Sequence, residues 1–178
     1  SEGPGKQRQR QLDEARTSLR EGEPKKAEDI LGNLAKQLPD DEEVAKELRV
    51  ARKQREDQDA RVQALSEQLA NGESAIARKD YDGAQAAFSA CLALDPGSEK
   101  ASKGLAIVNE VKQHASEIRD RFSAALKSRD LAAAERELAT LKALVPNSNT
   151  QVLAETELAN SKLVEEEAKK RQAELEAK

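Results

Sequence analysis

The sequence contains very few aromatic residues, with one Tyr, two Phe and no Trp, and it also lacks Met. Because aromatic side chains normally supply much of the area buried in a large core, a single large globular core is poorly supplied here. Of the 178 residues, 37% are apolar and 36% are charged. The common residues are Ala, Glu, Lys, Leu, Arg and Gln, which lose little side-chain freedom in a helix. The composition therefore predicts an all-α chain.

Cysteine and histidine are almost absent, which argues against several kinds of active site. Cys91 and His114 are the only residues of their types and fall on different predicted helices. Nucleophilic catalysis requires a base beside the nucleophile, and a metal site requires several ligands at fixed spacing. The acidic run 40–43 is typical of a helix start rather than of a calcium loop, whose glycine and alternating ligands are missing. With no glycine-rich phosphate loop either, we expect no catalytic, cofactor-binding or metal-binding residues and no enzymatic activity.

The sequence has no excess of one charge and no long apolar run. Its 30 basic and 34 acidic residues are mixed along the chain and leave a formal net charge of −4, so no basic field is present that would attract a nucleic-acid backbone. No stretch approaches the ~20 apolar residues that span a membrane, so we expect no membrane insertion. Residues 1–7 are expected to be a disordered leader or a cloning remnant. The lone cysteine leaves the cellular compartment open.

Three segments, residues 15–39, 72–96 and 122–146, repeat one pattern, and each ends in proline. Aligned on that proline, they share an apolar residue, a charged turn, an alanine and two further apolar residues. The aligned positions are Leu19, Ile76 and Leu126; Ala27, Ala84 and Ala134; Leu31, Phe88 and Leu138; and Leu34, Cys91 and Leu141. A small residue lets two helices cross closely, and the apolar residues four and seven positions later stay on the same helical face. Each segment is therefore predicted to form a helical hairpin.

This pattern resembles the tetratricopeptide repeat, a helix–turn–helix unit of about 34 residues with small residues and a proline at fixed positions. The middle segment is the best match, with Gly72, Ala84 and Pro96 at the small, small and proline positions. The third segment departs from the family because it places the bulky Phe122 where a small residue is expected. The resemblance implies three hairpins within one repeat domain. The three hairpins span residues 8–39, 65–96 and 115–146, and the repeat domain spans residues 8–164.

The segments are spaced more widely than in that family. Pro39 and Pro96 are 57 residues apart, and Pro96 and Pro146 are 50 apart, whereas the family period is about 34 residues. The extra residues contain no proline and keep apolar residues at helical steps, so we interpret them as lengthened helices. The first, residues 41–79, would be about 58 Å long. Alternatively, the polar run 52–59 frays or bends.

The predicted fold is an all-α, extended, α-solenoid-like array in which antiparallel hairpins share long helices. Short hairpins cover only part of each long helix, which is why an extended array is expected rather than a tight superhelix. Seven helices are predicted, and they span residues 8–21, 24–37, 41–79, 81–94, 98–128, 131–144 and 148–177. The charged tail, residues 165–178, is expected to be a solvated helix or a weak partner-binding end.

The family resemblance implies a role in protein–protein interaction, because such repeats hold a peptide or protein in the groove lined by their first helices. The corresponding groove positions are Leu12, Arg16, Arg20, Leu69, Glu73, Ala77, Arg119, Ser123 and Lys127. The lysine and asparagine with which some members grip a C-terminal carboxylate are missing at these positions. We therefore expect a scaffold or spacer domain of a larger bacterial protein, with a protein or peptide partner and no nucleic acid.

A second hypothesis is a self-associating helical rod, which would form a weak homodimer instead of remaining a monomer. The apolar stripe over residues 44–76, or the one over 108–125, would pair between copies as in a coiled coil. Arg55 and Gln58 interrupt the first stripe and argue against a strong dimer. The two hypotheses differ in the expected oligomeric state.

Overall fold

In the computed structural model, which describes residues 2–178, the chain forms seven α-helices, and no strand occurs among the described residues. The helices are α1 (Pro4–Arg20), α2 (Pro24–Gln37), α3 (Glu42–Ala77), α4 (Tyr81–Leu94), α5 (Glu99–Lys127), α6 (Leu131–Leu144) and α7 (Asn149–Glu176). The prediction of an all-α chain is confirmed. The chain divides into two compact units, one ending at Ala64 and the other beginning at Leu65.

Each helix lies close to its predicted range, and the largest difference is at the first helix. α1 begins at Pro4, earlier than the predicted start at residue 8. Proline fits the first turn of a helix because its missing N–H would have no partner there. α3 continues without a break through the polar run 52–59, so the alternative of a frayed or bent segment is not observed.

The polar run of α3 is held by the neighbouring helix pair of the first unit. Arg55 Nε donates to the carboxylate of Glu28 on α2, and Arg55 Nη1 also lies 3.1 Å from Asp59 Oδ2 one turn further along α3. Gln58 Nε2 donates to the carbonyl oxygen of Gly22 at 3.2 Å. These contacts explain why Arg55 and Gln58 interrupt an apolar stripe: they bind α2 and the α1–α2 turn instead of entering a core.

The helices pack around three hydrophobic cores, each made by one helical hairpin and the helix that follows it. In the first unit α1, α2 and the start of α3 bury Leu12, Ala15, Ala27, Leu31, Leu34, Val44, Leu48 and Ala51. In the second unit the end of α3, α4 and the start of α5 bury Ala75, Ala84, Phe88, Cys91, Ala101 and Val108. The rest of α5, with α6 and α7, buries Ala115, Ile118, Phe122, Ala125, Ala134, Leu141, Val145, Ala154 and Leu158. The aligned alanines Ala27, Ala84 and Ala134 are each 0% exposed.

The turn inside each hairpin has the same geometry in all three copies. Its central residue has a positive φ, which is 77° at Gly22, 60° at Lys79 and 58° at Arg129. The next N–H bonds to the carbonyl five residues earlier, at 2.8, 2.8 and 2.9 Å, in the pairs Glu23–Ser18, Asp80–Ala75 and Asp130–Ala125. The N–H of the central residue also bonds to the carbonyl three residues earlier. These two hydrogen bonds together define the Schellman motif, which ends a helix.

The turns that lead out of the hairpins are also alike. Each second helix ends just before a proline-containing turn, and the next helix begins behind a capping side chain. The caps are Asp41, Ser98 and Ser148, which accept a bond from the N–H three residues later at 3.2, 3.3 and 3.1 Å. A helix-starting cap contributes about 1 kcal/mol to stability. The local signals that predicted helix ends therefore correspond to repeated hydrogen-bonded turns.

The third hairpin keeps a filled core although it departs from the sequence pattern. In the middle copy the large side chain is Phe88 on α4, flanked by Gly72 on α3 and Gly104 on α5. In the third copy the large side chain is Phe122 on the first helix of the hairpin, and it is 0% exposed. Leu138 takes the position of Phe88 there, so the bulk moves from the second helix to the first. Such an exchange keeps the core volume nearly constant, which cores tolerate well.

Candidate protein-binding site

The predicted groove residues of the first unit lie on α1, and two of the three are engaged within the unit. Leu12 is 0% exposed, so its side chain is not available to a partner. Arg16 pairs with Glu43 and Glu47 of α3 at 2.8 and 2.9 Å. Arg20 is exposed to solvent. In this unit the predicted groove positions therefore serve mainly to hold α1 in place.

An ion-pair network fastens α1 to the start of α3. Arg8 lies 2.7 Å from both Asp41 and Glu43, and Arg16 bridges Glu43 and Glu47. The hydrogen bond from Arg8 is the main reason that the pKa of Asp41 and the pKa of Glu43 lie below their ordinary values. Hydrogen bonds to Glu47 and Glu43 raise the pKa of Arg16. Each charge in the network thus favours the ionised form of its partner.

The predicted groove residues of the second unit lie near the ends of α3 and α5. Glu73 and Ala77 of α3 are exposed, as is Lys127 of α5. Leu69 is half-buried and packs against the core that contains Phe88. The structure therefore leaves three of these positions open to solvent.

The last two predicted positions belong to a cluster on α5. Arg119 donates to Ser123 at 2.9 Å and to Glu157 of α7 at 2.5 Å. Its guanidinium carbon also lies 5.2 Å from the centre of the Phe122 ring, within the range of a cation–π contact. These contacts fix the orientation of Arg119, which lines a cleft.

The cleft has a volume of about 660 Å³ and lies entirely within the second unit. The α3–α4 turn with the start of α4, residues 78–82, lines one part, and the α6–α7 loop with the start of α7, residues 145–150, lines another. Between them α5 contributes Lys112, Ala115, Ser116 and Arg119. Sites for small ligands typically measure about 300–1,000 Å³, so the cleft is large enough for a few residues of an extended peptide.

The cleft carries more positive than negative charge. Its basic residues are Arg78, Lys79, Lys112 and Arg119, and its acidic residues are Asp80 and Asp82. The N-termini of α4 and α7, capped by Asp80 and Ser148, also lie at the cleft, and helix N-termini carry a partial positive charge. This local balance is opposite in sign to the net charge of −4 of the whole chain.

Two lysines of the cleft are fixed by bonds between its parts. Lys112 Nζ on α5 lies 2.7 Å from Asp82 and 2.5 Å from Gln85 of α4. Lys79 Nζ donates to the carbonyl oxygen of Ala143, near the end of α6, at 2.9 Å. The first lysine joins α5 to α4, and the second joins the α3–α4 turn to α6. The elements around the cleft are therefore linked to one another by two of its own lysine side chains.

Sequence analysis did not identify most of the cleft. The turn at Lys79 and the loop after Pro146 were interpreted as helix boundaries, and nothing in the sequence places them next to each other. Tyr81 packs against both cores of the second unit. It also lines the cleft. The available signal was the unusual combination of basic and aromatic residues in the 78–82 turn.

The stripes proposed for self-association lie largely inside the units. In the first stripe Val44 is 0% exposed and Val62 is 61% exposed. In the second stripe Val108, Ile118 and Phe122 are each 0% exposed. Side chains that already fill a core cannot form a seam with another copy without unpacking that core.

The single cysteine and the single histidine are not part of the cleft lining. Cys91 is buried, its Sγ lies 3.8 Å from the carbonyl oxygen of Leu65, and burial raises the pKa of its thiol. His114 is exposed on α5, with Nδ1 3.8 Å from Glu117. Neither residue lines the cleft.

Within residues 2–178, no three or more His, Cys, Asp and Glu side chains are arranged to hold a metal ion. None of the described helices combines the length and the apolar character needed to cross a membrane. Comparison with protein-family models finds no match to the chain, and comparisons with curated proteins and with solved structures find no significant match. What the cleft binds must therefore be inferred from its own residues.

Proposed function

We propose that this chain is a non-enzymatic protein-interaction module of tetratricopeptide-like hairpins, and that the cleft of the second unit holds an extended acidic segment of a partner protein. The observation that carries this proposal is the hairpin built three times, each with a positive-φ turn, a buried alanine and a capped exit. Repeated helical hairpins of this kind offer concave surfaces to protein partners.

The charge of the cleft supports an acidic partner. Arg78 and Lys112 have side chains that are 63% and 39% exposed, so both can be reached from solvent. A partner carboxylate could replace Asp82 as the acceptor for Lys112 Nζ and accept from the nearby guanidinium of Arg119. Complementary charge of this kind increases the rate of association and selects against basic partners.

In a larger bacterial protein, such a module would act as a scaffold or a spacer that recruits a partner between neighbouring domains. The ionic contacts that fasten its helices support this role, because they keep the binding residues in place without a ligand. A second hypothesis, a rod that self-associates through α3 or α5, has less support, since the required stripes are largely buried.

The proposal can be tested by selecting binders from a displayed library of random peptides against the intact chain. We expect the enriched peptides to be acidic and to bind more weakly as salt concentration rises, because salt screens exposed ion pairs. Calorimetry of one selected peptide would give the affinity. Failure to enrich any peptide, or enrichment of basic peptides, would contradict the proposal.

A matched pair of variants assigns binding to the cleft. Lys112→Ala should weaken the selected peptide several-fold, because it removes a cation that lines the cleft. Lys103→Ala removes the same charge from an exposed position of the same helix, outside the cleft, and should leave affinity unchanged. Equal effects of the two substitutions would show that the peptide responds to net charge alone.

A further inference from the structure

Helix α7 carries a second apolar stripe that lies outside the core. Leu153, Val164 and Leu175 are 60%, 67% and 69% exposed. They are spaced eleven residues apart, which is close to three full turns, so all three lie along one side of the helix. Apolar residues on one side of a helix provide contact points for another helix when the residues between them are complementary to it.

A further hairpin would not pack against α7 as one packs against α5. On α5 the residues that enter the next core lie at fixed distances behind the Ser98 cap, at Ala115, Ile118 and Phe122. The same distances behind the Ser148 cap of α7 lead to Glu165, Ala168 and Gln172. A carboxylate and an amide in these places would be costly to bury. The second half of α7 is therefore suited to a different occupant.

The residues between the three apolar positions make the surface complementary to itself. In order along this side of α7, the α7 stripe consists of Leu153, Glu157, Asn160, Val164, Ala168, Arg171 and Leu175. The spacing on either side of Val164 is the same. When two copies run antiparallel about Val164, Leu153 of one copy meets Leu175 of the other, and Glu157 meets Arg171. The leucines thus meet each other, each carboxylate meets a guanidinium, and the remaining pair is Asn160 with Ala168.

We infer that the α7 stripe is a homodimerisation surface on which a second copy of this chain docks antiparallel, with a two-fold axis at Val164. Such an assembly stops at two copies, because both copies use the same patch for the contact. Glu157 is already oriented by Arg119, which bonds to Oε1 at 2.5 Å. With one helix from each copy, the dimer is weak and depends on protein concentration.

Sedimentation equilibrium of the intact chain, from micromolar to near-millimolar concentration, tests the inference. We expect a monomer–dimer equilibrium that Val164→Glu shifts to monomer without loss of helical content by circular dichroism. Ile107→Glu is the matched control, because Ile107 is also exposed, at 47%, but lies on α5. A wild-type chain that stays monomeric over the whole range, or that grows beyond a dimer, would overturn the inference.

Two charge substitutions test the predicted ion pair. Arg171→Glu places a carboxylate opposite Glu157 of the other copy and should weaken the dimer at least several-fold. Lys170→Glu makes the same change of charge on the preceding residue, about 100° around the helix and off the stripe. It should have a much smaller effect, and equal effects would overturn the pairing of Glu157 with Arg171.

Cysteine cross-linking tests the orientation of the two copies. The native Cys91 is buried, so the wild-type chain should give no cross-link under mild oxidation. Val164→Cys should link to itself across the two-fold axis. Leu153→Cys and Leu175→Cys should form a cross-link only when the two variants are mixed. Linking of either of these two with itself would indicate a parallel pair and would overturn the inference.

Discussion

The ring of Phe88 on α4 occupies the space beside Gly72 on α3, so that a Cβ at Gly72 would lie only 2.5 Å from a ring carbon. Alanine is normally about 1 kcal/mol better than glycine inside a helix. The close approach reverses that preference here, because overpacking a core costs about 1–3 kcal/mol. A glycine that weakens α3 locally therefore stabilises the packing of the second unit.

Gly72→Ala should lower the free energy of unfolding by about 1–2 kcal/mol, measured by urea denaturation. Gly32→Ala is the control, because Gly32 is also inside a helix but has no atom within 4 Å of an added Cβ. That substitution should stabilise the chain by about 0.5–1 kcal/mol. Adding Phe88→Leu to Gly72→Ala should recover part of the loss. No recovery would mean that the ring is not the obstacle.

Arg129→Gly should stabilise the chain by about 1 kcal/mol, because Arg129 has a φ of 58°, in the left-handed region that favours glycine. The gain is reduced by the greater freedom of glycine in the unfolded chain. The converse change, Gly22→Ala, should destabilise the equivalent turn, where φ is 77°. Thermal unfolding followed by circular dichroism measures both effects. The two substitutions should shift the melting temperature in opposite directions.

Asp130→Ala should destabilise the second unit by about 1 kcal/mol, because Asp130 accepts the N–H of Ala133 at 3.0 Å and caps α6. Glu23 holds the equivalent position before α2, but its side chain makes no cap bond, and Pro24 starts that helix. Glu23→Ala should therefore change the free energy of unfolding much less. A similar loss for both would show that charge near the helix start matters more than the hydrogen bond.

The stability of the first unit should fall as the solution becomes acidic. The pKa values of Asp41 and Glu43 are lowered from ordinary values of 3.8 and 4.5, mainly by bonds from Arg8. A carboxyl group with a lowered folded pKa stabilises the fold above its unfolded pKa, and this contribution is lost as pH falls through the folded value. The decline should thus begin near pH 4.5 and continue below pH 3.8.

The dependence on Arg8 can be separated from general acid unfolding. In Arg8→Gln the loss of stability over this pH range should be shallower, since the main cause of both lowered pKa values is removed. Arg10→Gln removes the same charge from α1, but Arg10 pairs with Glu2 at 3.2 Å instead of with the network. Its pH profile should follow that of the wild type. Thermal unfolding at a series of pH values provides the comparison.

Sequence patterns predicted most of the helix boundaries because the signals are local. Pro39, Pro96 and Pro146 each follow the end of a helix, so a few consecutive residues carry the information. The role of Gly72 could not be predicted, because the reason for its small size is Phe88 on another helix. Lys112 was missed as part of the cleft because its partner, Asp82, is thirty residues away.

The sequence by itself determined that this chain is helical and where its helices turn, since capping, proline and apolar spacing act between neighbouring residues. Only the tertiary structure decided which polar residues stay available for binding. Arg16 and Arg20 are both predicted groove positions on α1, yet Arg16 is held by Glu43 and Glu47 of α3, whereas Arg20 is exposed to solvent. The physical reason is that the availability of a charged side chain depends on which oxygen atoms packing brings within reach.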